Sequence, residues 1–383
     1  MNTPDEDKDN PRPRPRRVGE ERGYTYRAFR AEDAPPLHEL MAVTRGAWDA
    51  DYNAVNKAYF LYDARYIGWL LPGDGMALGA WATAPDGSPA ALVLGVAREL
   101  YSRGRRFETC YGTMLSVLRE HRGAGLGIGV MQCTFDAMRA RGMDLFIGTF
   151  DADQAGRPTI TKAVVRYDPD YRISESRSMT FWACMTDLAQ IDRYEPFRGA
   201  ERAALLPGVR GLLRFHPTAL DLRAPARRVA LAEVYREPPR DLSWAIGPGL
   251  STPKMYSDTC DPMASGTFVF DFSPRARCFI TYNVNTLARL GMPERNAGIV
   301  QLVHTGTADR VQVIRALRYV NAWLLDMGCI FTMHLDVGVV PKTSLAAAGF
   351  VPTARHVCFT AMGRREAVEA LHPLVPPYFS DVY

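Results

Sequence analysis

Residues 107–142 limit the possible folds more than any other stretch, because they prescribe a strand, a tight turn and a helix in immediate succession. Residues 107–118 have a polar edge and end on Met114, Leu115, Val117 and Leu118, as a strand entering a core does. Arg122-Gly123-Ala124-Gly125-Leu126-Gly127 makes the turn. Ile128, Met131, Phe135 and Met138 then recur at steps of three, four and three, one apolar stripe on a 3.6-residue period. Gly142 supplies a left-handed stop, and Arg139 and Arg141 bring positive charge to the negative helix end.

Glycines in such a turn let consecutive backbone N–H groups face one point, and the free N–H groups of a helix start carry positive partial charge. That arrangement suits a phosphate or pyrophosphate, with Arg122 as an added cation. A turn that needs glycine only for its geometry fits the same letters. Two other phosphate loops are excluded. No G-x-x-x-x-G-K-[ST] is present, and the alternation of Gly123, Gly125 and Gly127 followed by Ile128 breaks G-x-G-x-x-G.

Written R-x-x-G-x-G, the turn resembles the acyl-CoA pyrophosphate loop of the GNAT N-acetyltransferase superfamily. The flanks agree: V-L-R-E-H before it, an amphipathic helix after it, then R-G-M and an apolar strand at 145–150. The resemblance covers the core of residues 24–184. It implies an α/β (α+β) fold in which a mixed, mostly antiparallel sheet is flanked by helices. It further implies that Arg122 and the backbone of Gly123, Ala124, Gly125, Leu126 and Gly127 hold the pyrophosphate of acetyl-CoA or another acyl-CoA. Val117 and Leu118, at the end of the preceding strand, would pair with the pantetheine arm. The helix expected at 151–167 commonly carries a tyrosine in the family; here Thr159, Ile160 and Thr161 fill that region and the nearest tyrosine is Tyr167.

Residues 1–22 hold charge clusters and four prolines with almost nothing apolar, and are expected to form a disordered tail. A first GNAT-like domain is expected at 23–187, a helical connector at 188–215 and a second domain at 216–383. In the first, a strand at 24–29, a broken helical region at 33–62, a hairpin of 76–83 with 90–96 and a closing strand at 174–185 surround the central unit. The aromatics Trp48, Tyr52, Tyr59, Phe60, Tyr62, Tyr66 and Trp69 fit either an acceptor-site wall or the core. Residues 236–262, rich in Pro, Gly and Ser, read as one long loop.

The second half repeats the first. An offset of 186 residues carries Gly142 to Gly328, Leu118 to His304 and the strand at 90–96 to one at 276–282. A strand at 298–304, a helix at 308–327, a strand at 329–336 and a helix–Gly-Phe–strand ending at 341–361 complete it. In place of the glycine turn stands His304-Thr305-Gly306-Thr307-Ala308-Asp309, with one glycine and a carboxylate that repels phosphate. The two tandem GNAT-like domains are therefore expected to bind one acyl-CoA, in the first.

Composition narrows the function classes. With 47% hydrophobic and 23% charged residues and a net charge of +4, the chain reads as globular, without the basic stripe of a nucleic-acid binder. Its 7 cysteines, none in C-x-x-C, sit mostly in apolar runs and read as buried thiols of a reducing compartment. The start of the chain lacks a signal-peptide pattern, and no apolar run reaches the roughly 18 residues of a membrane span. A cytoplasmic protein without membrane or nucleic-acid partners is expected, and no His/Cys/Asp/Glu spacing points to a metal.

Acyl transfer to an amine needs a group that takes the amine proton and donors that polarise the thioester carbonyl. Glu108, on the central strand, and Asp151, at the end of the next, are the candidate catalytic residues; a solvated or salt-bridged role is open for each. His334 and Asp336, two apart on one strand, share a face, either toward an acceptor or as a satisfied core pair. The expected function is an acyl-CoA-dependent N-acyltransferase, acetyl or longer, acting on a small-molecule amine by direct transfer in a ternary complex. A non-catalytic acyl-CoA sensor and a tRNA-dependent aminoacyltransferase are the alternatives; the intact glycine turn weighs against the latter.

Overall fold

The computed structural model describes Arg17, residues 19–29, 37–55, 57–61, 77–151, 156–175, 177–185, 192–194, Gly199, and residues 224–229, 244–248, 265–371 and 379–380. Most of the expected tail and connector, with Tyr62, Tyr66 and Trp69, lies outside these residues. The end of the expected tail is structured: Glu20–Arg22 form a 3-10 turn, and Arg17 pairs with Asp136 at 2.7 Å.

The sheet begins with β1 (Thr25–Ala28), followed by α1 (Leu37–Ala54) and β2 (Tyr59–Leu61). The region expected to stay helical to residue 62 thus ends in a strand, whose three side chains are all buried. β3 (Ala77–Thr83) and β4 (Pro89–Ser102) form the hairpin, and β5 (Arg105–Val117) is the central strand. α2 (Leu126–Ala140) and β6 (Leu145–Asp151) follow the glycine turn. α2 stops as its sequence predicts. Gly142 has φ 70°, its N–H donates to Arg139 O, and the Met143 N–H donates to Met138 O, a Schellman closure. α3 (Gly156–Tyr167), β7 (Tyr171–Ile173) and β8 (Arg177–Met185) end the first half.

The second half contains β9 (Ala226–Val229), β10 (Trp244–Pro248), β11 (Ser265–Ser273), β12 (Ala276–Ala288) and β13 (Arg295–His304). Then come α4 (Arg310–Asp326), β14 (Cys329–Leu335), α5 (Lys342–Ala347), β15 (Val351–Arg364), α6 (Arg365–Ala370) and β16 (Phe379–Ser380). β10 interrupts the stretch expected to be one loop and pairs antiparallel with β4. The repeat holds in three dimensions. The hairpin β11–β12 and the parallel pair β13–β14 match β3–β4 and β5–β6. α4 matches α2, and Gly328 stops it at φ 80°.

Among the described residues sixteen strands form one sheet, in the main order β1-β3-β4-β5-β6-β15-β8-β14-β13-β12-β11-β9. Within it the halves exchange their last strands. β8, expected to close the first half, pairs with β14 of the second, and β15 of the second half lies between β6 and β8. Neither half completes its sheet alone. The apolar faces follow this plan. Met131, Phe135 and Met138 of α2 pack with Leu78, Val93 and Phe146, and Leu317, Val320 and Leu324 of α4 pack with Ile280, Tyr282 and Val300. A third cluster, where Phe60, Trp81, Tyr111, Phe181, Phe331 and Phe359 meet, is shared by both halves.

Candidate active site

β5 and β6 run parallel from Thr109 opposite Leu145 to Gly112 opposite Gly148, where pairing ends although both strands continue. On its other edge β5 is bulged. Leu94 stands opposite Thr113 but Leu92 opposite Ser116, so β5 carries one residue more than β4. Met114, inside the bulge, has φ 57°, a left-handed conformation uncommon for a long side chain. Where the strands part, Gly112, Thr113, Met114 and Leu115 line a cavity of about 560 Å³, with Thr149, Phe150 and Asp151 of β6 on the facing side.

The glycine turn lines the same cavity through Arg122, Gly123, Gly125, Leu126 and Gly127, while Ala124 is buried behind them. Gly123 (φ 82°) and Gly125 (φ 78°) supply its left-handed corners. Gly125 is the N-cap of α2, and no side chain caps the helix. The N–H groups of Ile128 and Gly129 both donate to Gly125 O; those of Gly123 to Gly127 meet no acceptor among the described residues. A Cβ on Gly127 would stand 2.8 Å from Thr159 Cγ2, so the missing side chain keeps the α2–α3 approach open. Free donors at the positive end of a helix, with no side chain in the way, fit a phosphate group.

Arg122 is not the free cation its position suggests. Its Nη1 lies 2.5 Å from Asp51 Oδ1, its Nη2 donates to Ala47 O at 3.3 Å and its Nε to Val117 O at 3.2 Å. It fastens the turn to α1 and β5. Val117 lines the cavity; Leu118 does not, and its N–H donates to Ala90 O at 3.0 Å.

Asp151 lines the cavity, 3.6 Å from Arg355 Nη2 of β15. The Arg355 guanidinium also lies 5.3 Å over the Phe60 ring. The structure does not bring Glu108 to the site. Alternation along β5 buries Phe107 and Thr109 and turns Glu108 outward, where it accepts a 3.0 Å hydrogen bond from Arg106. Tyr167 is also turned away. Its hydroxyl donates to Asp136 at 2.9 Å, its ring lies 4.8 Å from Tyr171, and burial raises its pKa. Trp48, Tyr52 and Phe60 are cavity walls, whereas Tyr59 is core. Burial pushes the thiols of Cys184, Cys278 and Cys329 up to about 12, and that of Cys110 higher still, so none of these four is a nucleophile.

Sequence reasoning missed several wall residues. Thr149 is fixed at the cavity by a 2.9 Å hydrogen bond with the Tyr111 hydroxyl, visible only once the β5–β6 register is known. Phe181 of β8, Ile299 of β13 and Arg355 and Val357 of β15 reach the cavity from strands distant in sequence from the turn.

The second half keeps the architecture without the phosphate cradle. Asp309 caps α4: its Oδ1 accepts the Gln312 N–H, and Gln312 Oε1 accepts the Asp309 N–H, both at 2.9 Å. A carboxylate already occupies the donor end. His334 is buried with Nδ1 3.0 Å from Val300 O, and burial lowers its pKa. Asp336 accepts the Gly338 N–H at 3.0 Å, so the two serve the strand and its turn. Among the described residues no helix is long and apolar enough to cross a membrane, and no cluster of metal-ligating side chains occurs.

No protein-family model matches this chain, and no curated protein is similar to it in sequence. Solved structures do match. The N-myristoyltransferase of Saccharomyces cerevisiae with bound myristoyl-CoA aligns with a TM-score of 0.66 at 10% identity, covering 95% of this chain and 83% of that one. A structure of the same enzyme with myristoyl-CoA and inhibitors gives 0.64 at 11% identity, over 95% and 84%. A GCN5-related N-acetyltransferase from Kribbella flavida gives 0.44 at 13% identity, over 90% and 71%. Along nearly its whole length, this chain has the GNAT fold in the two-domain form of the N-myristoyltransferase.

Proposed function

We propose that the chain is an acyl-CoA-dependent N-acyltransferase. One observation carries the reading: the uncapped turn at 123–127 presents free N–H groups to the cavity that opens where β5 and β6 part. Solved structures of like fold hold myristoyl-CoA, which supports an acyl-CoA as the donor, acetyl or longer. That donor brings an activated thioester, so the protein need only place it, polarise it and manage one proton.

Gly123 to Gly127 hold the pyrophosphate at the positive end of α2. The β5 backbone at the bulge, beyond the point where β5 and β6 cease to pair, polarises the thioester carbonyl. Asp151 takes the proton of the attacking amine, directly or through one water, while Arg355 sets its position. The Tyr111–Thr149 hydroxyl pair lies on the β6 side, where the departing sulfur can recover a proton. The acceptor is an amine small enough, at its reacting end, for a cavity of about 560 Å³.

The test supplies acetyl-, octanoyl- and myristoyl-CoA with a panel of small amines and short peptides, reading free thiol and acceptor mass. Amine-dependent thiol release with acylated product is expected. The engagement of Asp151 by Arg355 and the turned-away Tyr167 favour one alternative, a non-catalytic acyl-CoA sensor. CoA binding with no thiol release by any amine would select it.

A further inference from the structure

The sheet face that lines the cavity continues into the second half, and there it becomes polar. Ile299 of β13 lines the cavity; directly opposite it on β12 is Asn283, and opposite Asn283 on β11 is Ser265. Residues opposite one another across antiparallel strands share a face. Asn285, Thr281 and Thr267 belong to the same face, while Ile280, Tyr282 and Val284 point the other way, toward α4. Gln301 joins the group through a bulge. Thr281 pairs with Leu302 and Tyr282 with Val300, which leaves Gln301 as the extra residue.

The offset of 186 carries Leu115, at the first-half bulge, onto Gln301. Each half thus has a bulge in its central strand, and in the second a carboxamide stands on it.

These groups are buried, with Asn283 and Asn285 each 1% exposed and Gln301 4%. Asn283 Nδ2 donates to Gln301 Oε1, and the Thr267 and Thr281 hydroxyls bond at 3.0 Å. Among the described residues, Asn283 Oδ1, Asn285 Oδ1 and Gln301 Nε2 have no partner. Turning both carboxamides of the Asn283–Gln301 pair exchanges their roles but still leaves one acceptor and one donor unmet. Buried polar groups are ordinarily satisfied, so three orphans side by side on the face that lines a cavity point to a missing partner.

We propose that this patch recognises the acceptor through a neutral amide group, a peptide bond or primary carboxamide close to the attacking amine. An amide N–H meets the free carboxamide oxygens, and its C=O accepts from the free NH₂. Among the described residues the polar partners named here are all neutral, Asn283, Asn285, Gln301, Thr267 and Thr281, which favours a neutral amide over a carboxylate or phosphate. The proposal rests on the acyltransferase reading for its acceptor, but its test does not need turnover.

The probes are glycyl-leucinamide and hexylamine, each titrated by ligand-observed NMR into the protein saturated with CoA. The variants are wild type, Asn283→Leu with Gln301→Met, and Gln301→Met alone. Shape-preserving removal of both partners spares folding, and the single variant serves if the double one does not fold. Wild type should bind the dipeptide amide at least tenfold more tightly than the alkylamine. The variants should lose that preference while CoA affinity stays within twofold. Equal binding of the two probes to wild type, or a preference that survives both substitutions, overturns the proposal. Intact amide preference without thiol release would instead count against acyl transfer alone.

Discussion

The carboxylate of Asp151 lies 3.6 Å from the guanidinium of Arg355, and the two residues come from opposite halves of the chain. The exchange of β8 and β15 makes the contact possible, because Val357 of β15 stands opposite Asp151 of β6. The cavity is thus lined from both halves, although only the first carries the glycine turn.

Asp151→Asn should lower kcat by roughly 100- to 10,000-fold, the usual range for a lost general base. CoA affinity should stay within twofold, since the turn is untouched. Steady-state thiol release and calorimetric CoA titration on the same preparation separate the two. A loss of activity under tenfold would assign proton transfer to another group.

Gly112 marks the point where the strands part, and a Cβ there would lie 1.7 Å from Phe146 Cζ. Gly112→Ala should therefore destabilise the fold by about 1–3 kcal/mol through overpacking. Phe146→Leu in the same chain should recover part of that loss, because the two side chains compete for one space. Denaturant midpoints of the two single variants and the double variant measure the coupling; simple additivity would contradict the contact.

Burial lowers the pKa of His334 below its ordinary 6.5. Above that value both folded and unfolded states hold the ring neutral, and stability is at its full level. As pH falls below it the unfolded state takes up the proton first, so stability declines toward the folded-state pKa, by at most about 1.4 kcal/mol per pH unit. His304, lowered by the same cause, adds to the slope. Urea denaturation between pH 7.5 and 5.5 should show the decline in wild type and a shallower one in His334→Gln. Identical slopes would contradict a buried neutral ring.

Local signals in the sequence reached the elements and the glycine turn but not the wall opposite. The stripe of Ile128, Met131, Phe135 and Met138, the stop at Gly142 and the repeat at 186 residues are written in short range, and each corresponds to a physical feature. Strand exchange is not. β8 and β15 look alike as apolar runs, and which half each joins depends on packing far away in sequence, so Arg355, Ile299 and Val357 could not be placed. Glu108 failed on parity: the face of a strand residue follows from its neighbours Phe107 and Thr109, not from its charge. Arg122 was legible as a residue of the turn, but its pairing with Asp51 was not, because Asp51 lies on α1, 71 residues away in sequence.

The central claim is that the turn at 123–127 binds a pyrophosphate, and Gly123 offers the cleanest test of it. At φ 82° the site favours glycine but tolerates Asn and Asp, and nothing lies within 4 Å of a Cβ there. Gly123→Asp and Gly123→Asn therefore differ in charge and hardly in shape. Calorimetric titration of CoA should show at least tenfold weaker binding to the Asp variant than to the Asn variant, with closely similar melting temperatures. Equal CoA affinity in the two variants, or no CoA binding by the folded wild type, would contradict the account.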